Sequence, residues 1–450
     1  MMAIDRFRAW WGRVSAISAF GNRVVITMLT NLGLAVLALI TGLLAARSLG
    51  PTGRGELAAI QTWPTFLATV AVLGIPEALV YLSARESKSA NRLLATALLI
   101  TTITSIPFVI AGYFILPYVL RAQTPAIIQV ARGYLWLIPI MASIGMMPNV
   151  LRGRNDLGYW NLLRCLPSVV WFLALVIGAV VFTPSPRMLA YGYLIGFSTL
   201  LLPYAWVINR RVPGPYNFSI GFIRPLLMYG LPLMLSIFPY TLNLRLDQML
   251  MTGLFTPNIL GFYAVAVAWS SAMTPLVSAL PAVMLPQIAG TLDPRDQIRQ
   301  LAQLVRIGSL FAVLICIFVM VITPLVLPLL FGADYRPAVF AAMILTLAGG
   351  IFGINALLES SAQSLGKPKF ILIAELIGLA VTVLLLWLLL RQYQTVGAAI
   401  ASLASYSTAF IVMIVLIIRS TNLHIRDLFI INQIDLQLIR NKILSLKSSF

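Results

Sequence analysis

Residues 24–46, VVITMLTNLGLAVLALITGLLAA, run for 23 positions without a charge. An α-helix rises about 1.5 Å per residue, so about 20 apolar residues cross a hydrocarbon core about 30 Å thick. The stretch is therefore long enough to span a membrane. It exceeds the roughly 7–15 residues of a signal-peptide core. Four arginines precede it (Arg6, Arg8, Arg13 and Arg23), as expected on the cytoplasmic flank of a span that stays in the protein. The rest of the 450-residue chain repeats this pattern. It is 60% hydrophobic and 10% charged, with a mean hydropathy of +0.95, where soluble domains run at about 45–50% and about 25%. So few charges cannot cover a water-soluble surface, which excludes a soluble enzyme, a disordered chain and a disulfide scaffold. Cys165 and Cys316 both sit in apolar runs and read as buried, inert thiols.

Working outward from the first span, we expect twelve: 24–46, 57–83, 93–118, 133–151, 164–183, 189–208, 226–252, 259–286, 304–330, 338–360, 370–390 and 396–418. The uncharged stretch 248–292 is divided by its Thr256-Pro257-Asn258 turn signal. The net charge of +18 would suggest nucleic acid in a soluble protein; here it follows the positive-inside rule instead. With the N-terminus in the cytoplasm, 23 Lys and Arg fall on inside segments and 7 on outside ones, with Arg245 inside a span. Both termini are thus expected in the cytoplasm.

The chain reads as two halves. Gly55-x-x-Ala58 followed by Trp63 at the start of span two is matched by Gly261-x-x-Ala264 followed by Trp269 at span eight, at the same spacing. Gly153-Arg154 after span four is matched by Gly366-Lys367 after span ten. Six spans per copy is even, so the copies enter from the same side. The expected fold is an all-α polytopic membrane protein of twelve transmembrane helices in two parallel six-helix bundles around a central cavity. The expected organisation is a cytoplasmic segment 1–23, a bundle 24–208, a cytoplasmic linker 209–225, a second bundle 226–418 and an amphipathic tail 419–450 on the inner membrane surface. Prolines inside the spans, such as Pro64, Pro107, Pro239 and Pro324, are expected to kink them.

Five pieces in order carry a family resemblance. RSLGPTGRGELA at 47–58, with Arg47, Leu49, Gly50, Pro51 and Gly55, resembles the first outer loop of the polysaccharide transport family of flippases. That family lies in the multidrug/oligosaccharidyl-lipid/polysaccharide exporter superfamily. Asp247 with LMTGLFTPNILGFYAVA at 250–266, LPLLFGADYRPA at 327–338, SAQSLGKPK at 361–369 and VGAAIASLAS at 396–405 resemble its later motifs. The resemblance implies export of a lipid-linked oligosaccharide or polysaccharide precursor on undecaprenyl diphosphate. Movement would run from the inner to the outer leaflet of the bacterial cytoplasmic membrane, by alternating access driven by an H+ or Na+ gradient or the membrane potential. A drug/cation antiporter of the same superfamily is the alternative, and a membrane enzyme of glycan polymerisation a more distant one.

A charge near the bilayer centre costs at least about 2.5–3.5 kcal/mol, so intramembrane charges are candidates for function. Arg245 and Asp247 are two residues apart, about 200° around a helix, and cannot pair with each other. Arg245 either faces the cavity, holding a diphosphate or acidic sugar through charge-assisted bonds, or snorkels to the outer interface. Arg23, Arg152, Arg154 and Arg164 gather at inner span ends. They are candidates for the diphosphate head group, or set topology alone. Asp247, Glu77, Glu359 and Glu375 are the ion-coupling candidates; Glu359 and Glu375 lie at similar depth on adjacent spans, with pairing to Lys367 or Lys369 as the alternative. No phosphate loop of the Gly-x-x-x-x-Gly-Lys-Ser/Thr type occurs, and His424 is the one histidine. We therefore expect a secondary transporter without catalytic residues, cofactor or metal. Its expected partners are the lipid-linked glycan, membrane lipids and a coupling ion, with no nucleic acid.

Overall fold

A computed structural model describes residues 2–271, 294–421 and 424–430, with side chains from Ile26 onward except at positions 294, 295 and 297. The Arg23 side chain, the part 272–286 of the expected eighth span and most of the tail lie outside the described residues.

The described residues are all-helical, without strands. In chain order the helices are α1 (Met2–Ala71), α2 (Ile75–Arg85), α3 (Ala90–Val119), α4 (Pro125–Tyr134), α5 (Leu137–Gly153), α6 (Leu157–Val181), α7 (Pro186–Thr199) and α8 (Leu201–Arg211). There follow α9 (Ile223–Asn243), α10 (Leu246–Leu254), α11 (Pro257–Ser271), α12 (Pro294–Phe331), α13 (Val339–Ser364), α14 (Lys369–Thr421) and the short α15 (Ile425–Phe429). Several helices start where the sequence encodes a start. Pro125 and Pro186 open the first turns of α4 and α7, and Thr124 and Ser185 cap those helices by accepting from Ile127 N and Met188 N.

Nine helical stretches among the described residues are long and apolar enough to cross a membrane. Two are double length: Ile26–Arg85 has 60 residues and Lys369–Thr421 has 53. At about 1.5 Å per residue each would be far longer than a core of about 30 Å, so neither is a single pass. Each contains a break. In α1 it is Gly50, at φ 65° and ψ 179°, a conformation essentially confined to glycine, with Pro51 opening the next limb. In α14 it is Gln394, at φ 47°. The two limbs of α14 fold back on each other: Ser405 Oγ in the second donates to the Gly378 carbonyl in the first at 2.9 Å. Other expected spans hold shorter interruptions. The span expected at 57–83 breaks at Leu73-Gly74, 189–208 at Leu200, and 226–252 between Asn243 and Leu246.

The helix faces are sorted as a bilayer requires. On α12, Phe318, Val321, Leu325 and Leu329 form a stripe 64–75% exposed, while Leu304, Ala312, Cys316 and Leu327 on other faces are buried. Water would not tolerate so long an apolar stripe, but lipid covers it at no cost.

The chain divides into two compact units, Met1–Phe238 and Pro239–Phe450, with the division inside α9. In the first, α2, α3 and α5 pack together and α6 lies on α1. The segment after α8 is strapped to the start of α3, where Asn91 Nδ2 donates to the Pro215 carbonyl at 2.6 Å. Gly74 starts α2 at φ 69°, and a Cβ placed on it would lie 2.2 Å from the carbonyl oxygen of Gly230 on α9. In the second unit, α11 and α12 pack on α13, and α13 on α14. The short α15 docks on α12, with Leu428 buried.

Two glycine substitutions separate backbone conformation from close packing. Gly50 has open space around a would-be Cβ, so Gly50→Ala is expected to cost about 1–3 kcal/mol of backbone strain. Gly74→Ala adds a collision with backbone and is expected to lower the melting temperature of purified protein further than Gly50→Ala. Equal melting temperatures for the two variants would contradict the contact between Gly74 and Gly230.

Candidate functional site

The first unit holds a cationic cluster built on one indole. The turn between α5 and α6 is tight, with Asn155 at φ 62°, and it sets the last turn of one helix beside the first turns of the next. Arg152 Cζ lies 5.5 Å and Arg164 Cζ 4.3 Å from the centre of the Trp160 ring. Trp is the strongest π partner for a cation, at about 0.5–2 kcal/mol per contact, and here it holds two like charges near each other. Arg164 Nη2 also donates to Asn31 Oδ1 on α1, and Asn161 Nδ2 donates to Thr27 Oγ1 at 3.0 Å. These four residues form a polar ladder between two apolar helices and fix the indole and guanidinium in place.

No carboxylate among the described residues pairs with Arg152 or Arg164. Asp156, the acid nearest in sequence, faces Arg211 at 3.8 Å. Arg164 Nε and Asn161 Oδ1 are buried without a hydrogen-bond partner. A buried donor on a guanidinium costs several kcal/mol less when it meets an acceptor, and an anionic oxygen is the strongest acceptor for it. Arg154, expected in the same cluster, instead directs Nη1 to the Ser87 carbonyl at 3.4 Å.

The second unit holds a buried polar network. The chain breaks between α9 and α10 at Leu244-Arg245, so the helical phase expected between Arg245 and Asp247 does not apply: Arg245 precedes α10 and has an exposed side chain. Asp247 lies in the first turn of α10, 6% exposed. A helix N-terminus favours a negative charge there. Its carboxylate accepts from Tyr263 Oη, from Ser402 Oγ at 3.3 Å and from the Gln248 amide at 2.6 Å.

Four residues before Asp247, at the end of α9, Asn243 joins a second chain of contacts. It donates to Ser405 Oγ at 3.0 Å and accepts from Thr382 Oγ1 at 2.5 Å, both on α14. Asn355 Nδ2 donates to Glu359 Oε1 at 2.8 Å, while Asn355 Oδ1 is buried without a partner. Glu359 lies on α13 and Glu375, buried, on α14, and these two helices pack together. Lys367 turns away from them and donates to the Ser420 carbonyl at 3.4 Å. Glu77 is exposed on α2 in the first unit and belongs to neither cluster.

The family model described as polysaccharide biosynthesis protein matches residues 44–340. The chain belongs to that family. An uncharacterized membrane protein of Methanocaldococcus jannaschii is 23% identical over 415 residues, covering 87% of this chain and 96% of the relative. Among solved structures, the lipid II flippase MurJ in an inward closed conformation superposes with a TM-score of 0.75 at 16% identity, over 90% of this chain and 89% of that one. An inward-facing multidrug resistance MATE transporter of the MOP superfamily superposes with a TM-score of 0.69 at 16% identity, over 87% and 95%. At such identity the likeness is one of fold. This polysaccharide biosynthesis family member is a multi-pass membrane protein with the MurJ and MATE fold.

Charge alone marked Arg152, Arg164, Asp247, Glu359 and Glu375. It did not mark Trp160, Tyr263, Asn31, Asn161, Asn243 or Asn355, which orient them. The available signal was asparagine within an apolar run, since a carboxamide in hydrocarbon must find partners.

Tyr263→Phe removes one donor from a buried carboxylate and is expected to destabilise the protein by about 1–3 kcal/mol. In an Asp247→Asn background the same change should cost less, because the charge that required the donor is gone. Thermal unfolding of the four proteins measures this, and additive losses would mean that the two side chains do not act on each other.

Proposed function

We propose that the protein is a flippase that moves a lipid-linked oligosaccharide or polysaccharide precursor from the inner to the outer leaflet of a bacterial cytoplasmic membrane, with both termini in the cytoplasm. The observation that carries the reading is the pair Arg152 and Arg164 on Trp160, with unused donors and no carboxylate partner among the described residues. A diphosphate joining lipid to sugar presents several anionic oxygens, and two guanidinium groups meet them through charge-assisted, forked hydrogen bonds. Family membership supports a glycan as the cargo. Arg245, exposed at the start of α10, is a further contact for the anionic cargo, while Arg23 and Arg154 contribute to the positive field at the mouth.

The second unit supplies the coupling element in this reading. Glu359 on α13 and Glu375 on α14, two helices that pack together, are the coupling carboxylates in this reading, because taking up a proton or Na+ would compensate their charge inside the membrane. Movement is driven by the ion gradient or membrane potential and needs no nucleotide. The alternative of a cation antiporter would require acidic groups presented to the cargo. Asp247 is buried and engaged with neutral donors instead, and Glu375 is buried, which favours the flippase.

The test is reconstitution into liposomes carrying an undecaprenyl-diphosphate-linked oligosaccharide, with an added lectin reporting the glycan that reaches the outer face. Arg152→Ala and Arg164→Ala should each reduce the initial rate at least about tenfold, the loss of one charge-assisted contact of about 1.5–3 kcal/mol. Arg→Lys should restore part of it, and protein amount and melting temperature should be unchanged. Wild-type rates in the doubly substituted protein would remove the assignment.

A further inference from the structure

A second basic site lies at the other end of the span that carries Arg152, and it belongs to neither cluster above. Helices α4 and α5 together form the stretch Pro125–Gly153. Arg132 and Arg152 are 20 residues apart along it, about 30 Å of helix and the thickness of a hydrocarbon core. Arg132 therefore sits at the opposite membrane interface from Arg152.

A cavity of about 420 Å³ opens there, lined by residues that include Tyr113, Phe114, Gln129, Arg132, Trp136 and Tyr191. The Arg132 guanidinium is held in a fixed plane. Its Nε donates to the Tyr113 carbonyl at 3.0 Å, and its Cζ lies 4.3 Å from the centre of the Tyr113 ring. This contact leaves the two terminal Nη groups of the fork to a ligand; no ion pair engages Arg132 among the described residues. Trp136 is 63% exposed, and Tyr118, near the end of α3, is 77% exposed. Amphipathic rings at this level mark the headgroup region.

The cavity continues into an apolar track. Ile103, Ile106, Ile110 and Phe114 are spaced by three and four residues, so they form one face of α3, and all are more than half exposed. The track runs from the middle of the bilayer to the guanidinium. A phosphate group at the interface joined to a hydrocarbon chain in the core matches both parts. Neutral sugar alone would leave the guanidinium and the track unused.

We propose that the pocket of α3, α4 and α7 around Arg132 binds the phosphate head of a lipid whose chain lies along Ile103, Ile106, Ile110 and Phe114. The site holds lipid in the leaflet opposite the Arg152 cluster, and it does not depend on what the protein transports. Two lipids share this chemistry, an acidic bilayer phospholipid and a polyprenyl phosphate.

Native mass spectrometry of the full-length protein, delipidated in detergent, reads the site directly. The probes are phosphatidylglycerol, undecaprenyl phosphate and a neutral diacylglycerol. The wild type should bind at least one of the two phosphate lipids more tightly than diacylglycerol. Arg132→Ala should weaken that binding about tenfold, equivalent to about 1.4 kcal/mol. Arg132→Lys should weaken it less, and Arg336→Ala, outside the pocket, should leave it unchanged. Tighter binding of undecaprenyl phosphate identifies the polyprenyl lipid as occupant, and tighter binding of phosphatidylglycerol the bilayer lipid. Ile110→Ser should weaken binding of either without changing the preference for phosphate, a second variant that leaves Arg132 and its Tyr113 contact in place. Equal binding of diacylglycerol, or equal affinity in the wild type and a folded Arg132→Ala protein, would overturn the proposal. In a background carrying Arg152→Ala and Arg164→Ala, which removes the other phosphate-binding cluster, the effect of Arg132→Ala on phosphate-lipid binding should persist, so loss of transport and loss of this site are read separately.

Discussion

Within hydrocarbon every backbone N–H and C=O must be bonded inside its own segment, and this constraint dictates most of what the structure does. It explains why nearly all the described residues are helical. It also explains why each departure from helical geometry carries a cost that something nearby offsets. The break in α1 falls on a glycine followed by a proline that needs no donor. The break between α9 and α10 lies where Asn243 and Asp247 gather side-chain partners from α11 and α14. That gap in the ladder and the polar network beside it form one feature: the side chains drawn to the break are the ones that place a carboxylate inside the unit.

The same constraint shapes the polar side chains. An arginine in or near the hydrocarbon is retained where it has stems to pack and donors to use. In the first unit the solution is aromatic, since Trp160 accepts two cations on its π system without neutralising them. In the second unit it is amide and hydroxyl chemistry around carboxylates. Each cluster thus carries charge of one sign, satisfied by neutral groups. Neutral partners leave the charge available to a ligand, whereas an ion pair would spend it.

Charge and hydropathy were enough to read a helical, multi-pass membrane protein, because lipid tests each residue largely by itself. The break at Gly50 was legible in the sequence as Gly50-Pro51, and the separation of α10 from α11 as Thr256-Pro257-Asn258. The break at Gln394 falls in the expected gap 391–395 between the last two spans, while those at Gly74 and Arg245 were not legible, since their causes lie elsewhere in the chain: the Gly230 carbonyl beside Gly74 and the α14 hydroxyls around Asn243. Of the candidate residues, Glu359 and Glu375 fall on the packed helices α13 and α14. The idea that Arg245 and Asp247 share one helix failed because the helix begins between them. Arg154 was grouped with Arg152 by proximity in sequence, but the end of α5 turns it to the Ser87 carbonyl.

The sequence by itself determined that this is a helical, multi-pass membrane protein, because a chain with one residue in ten charged has no other solvent available to it. It also determined the family, through motifs spread over most of its length. Only the tertiary structure decided which charges stand together. Trp160 between Arg152 and Arg164, Tyr263 on Asp247, and Tyr113 under Arg132 are contacts between side chains whose meeting depends on helix rotation and on where each helix breaks. Rotation is set by packing against neighbours, and no property of a single span records it.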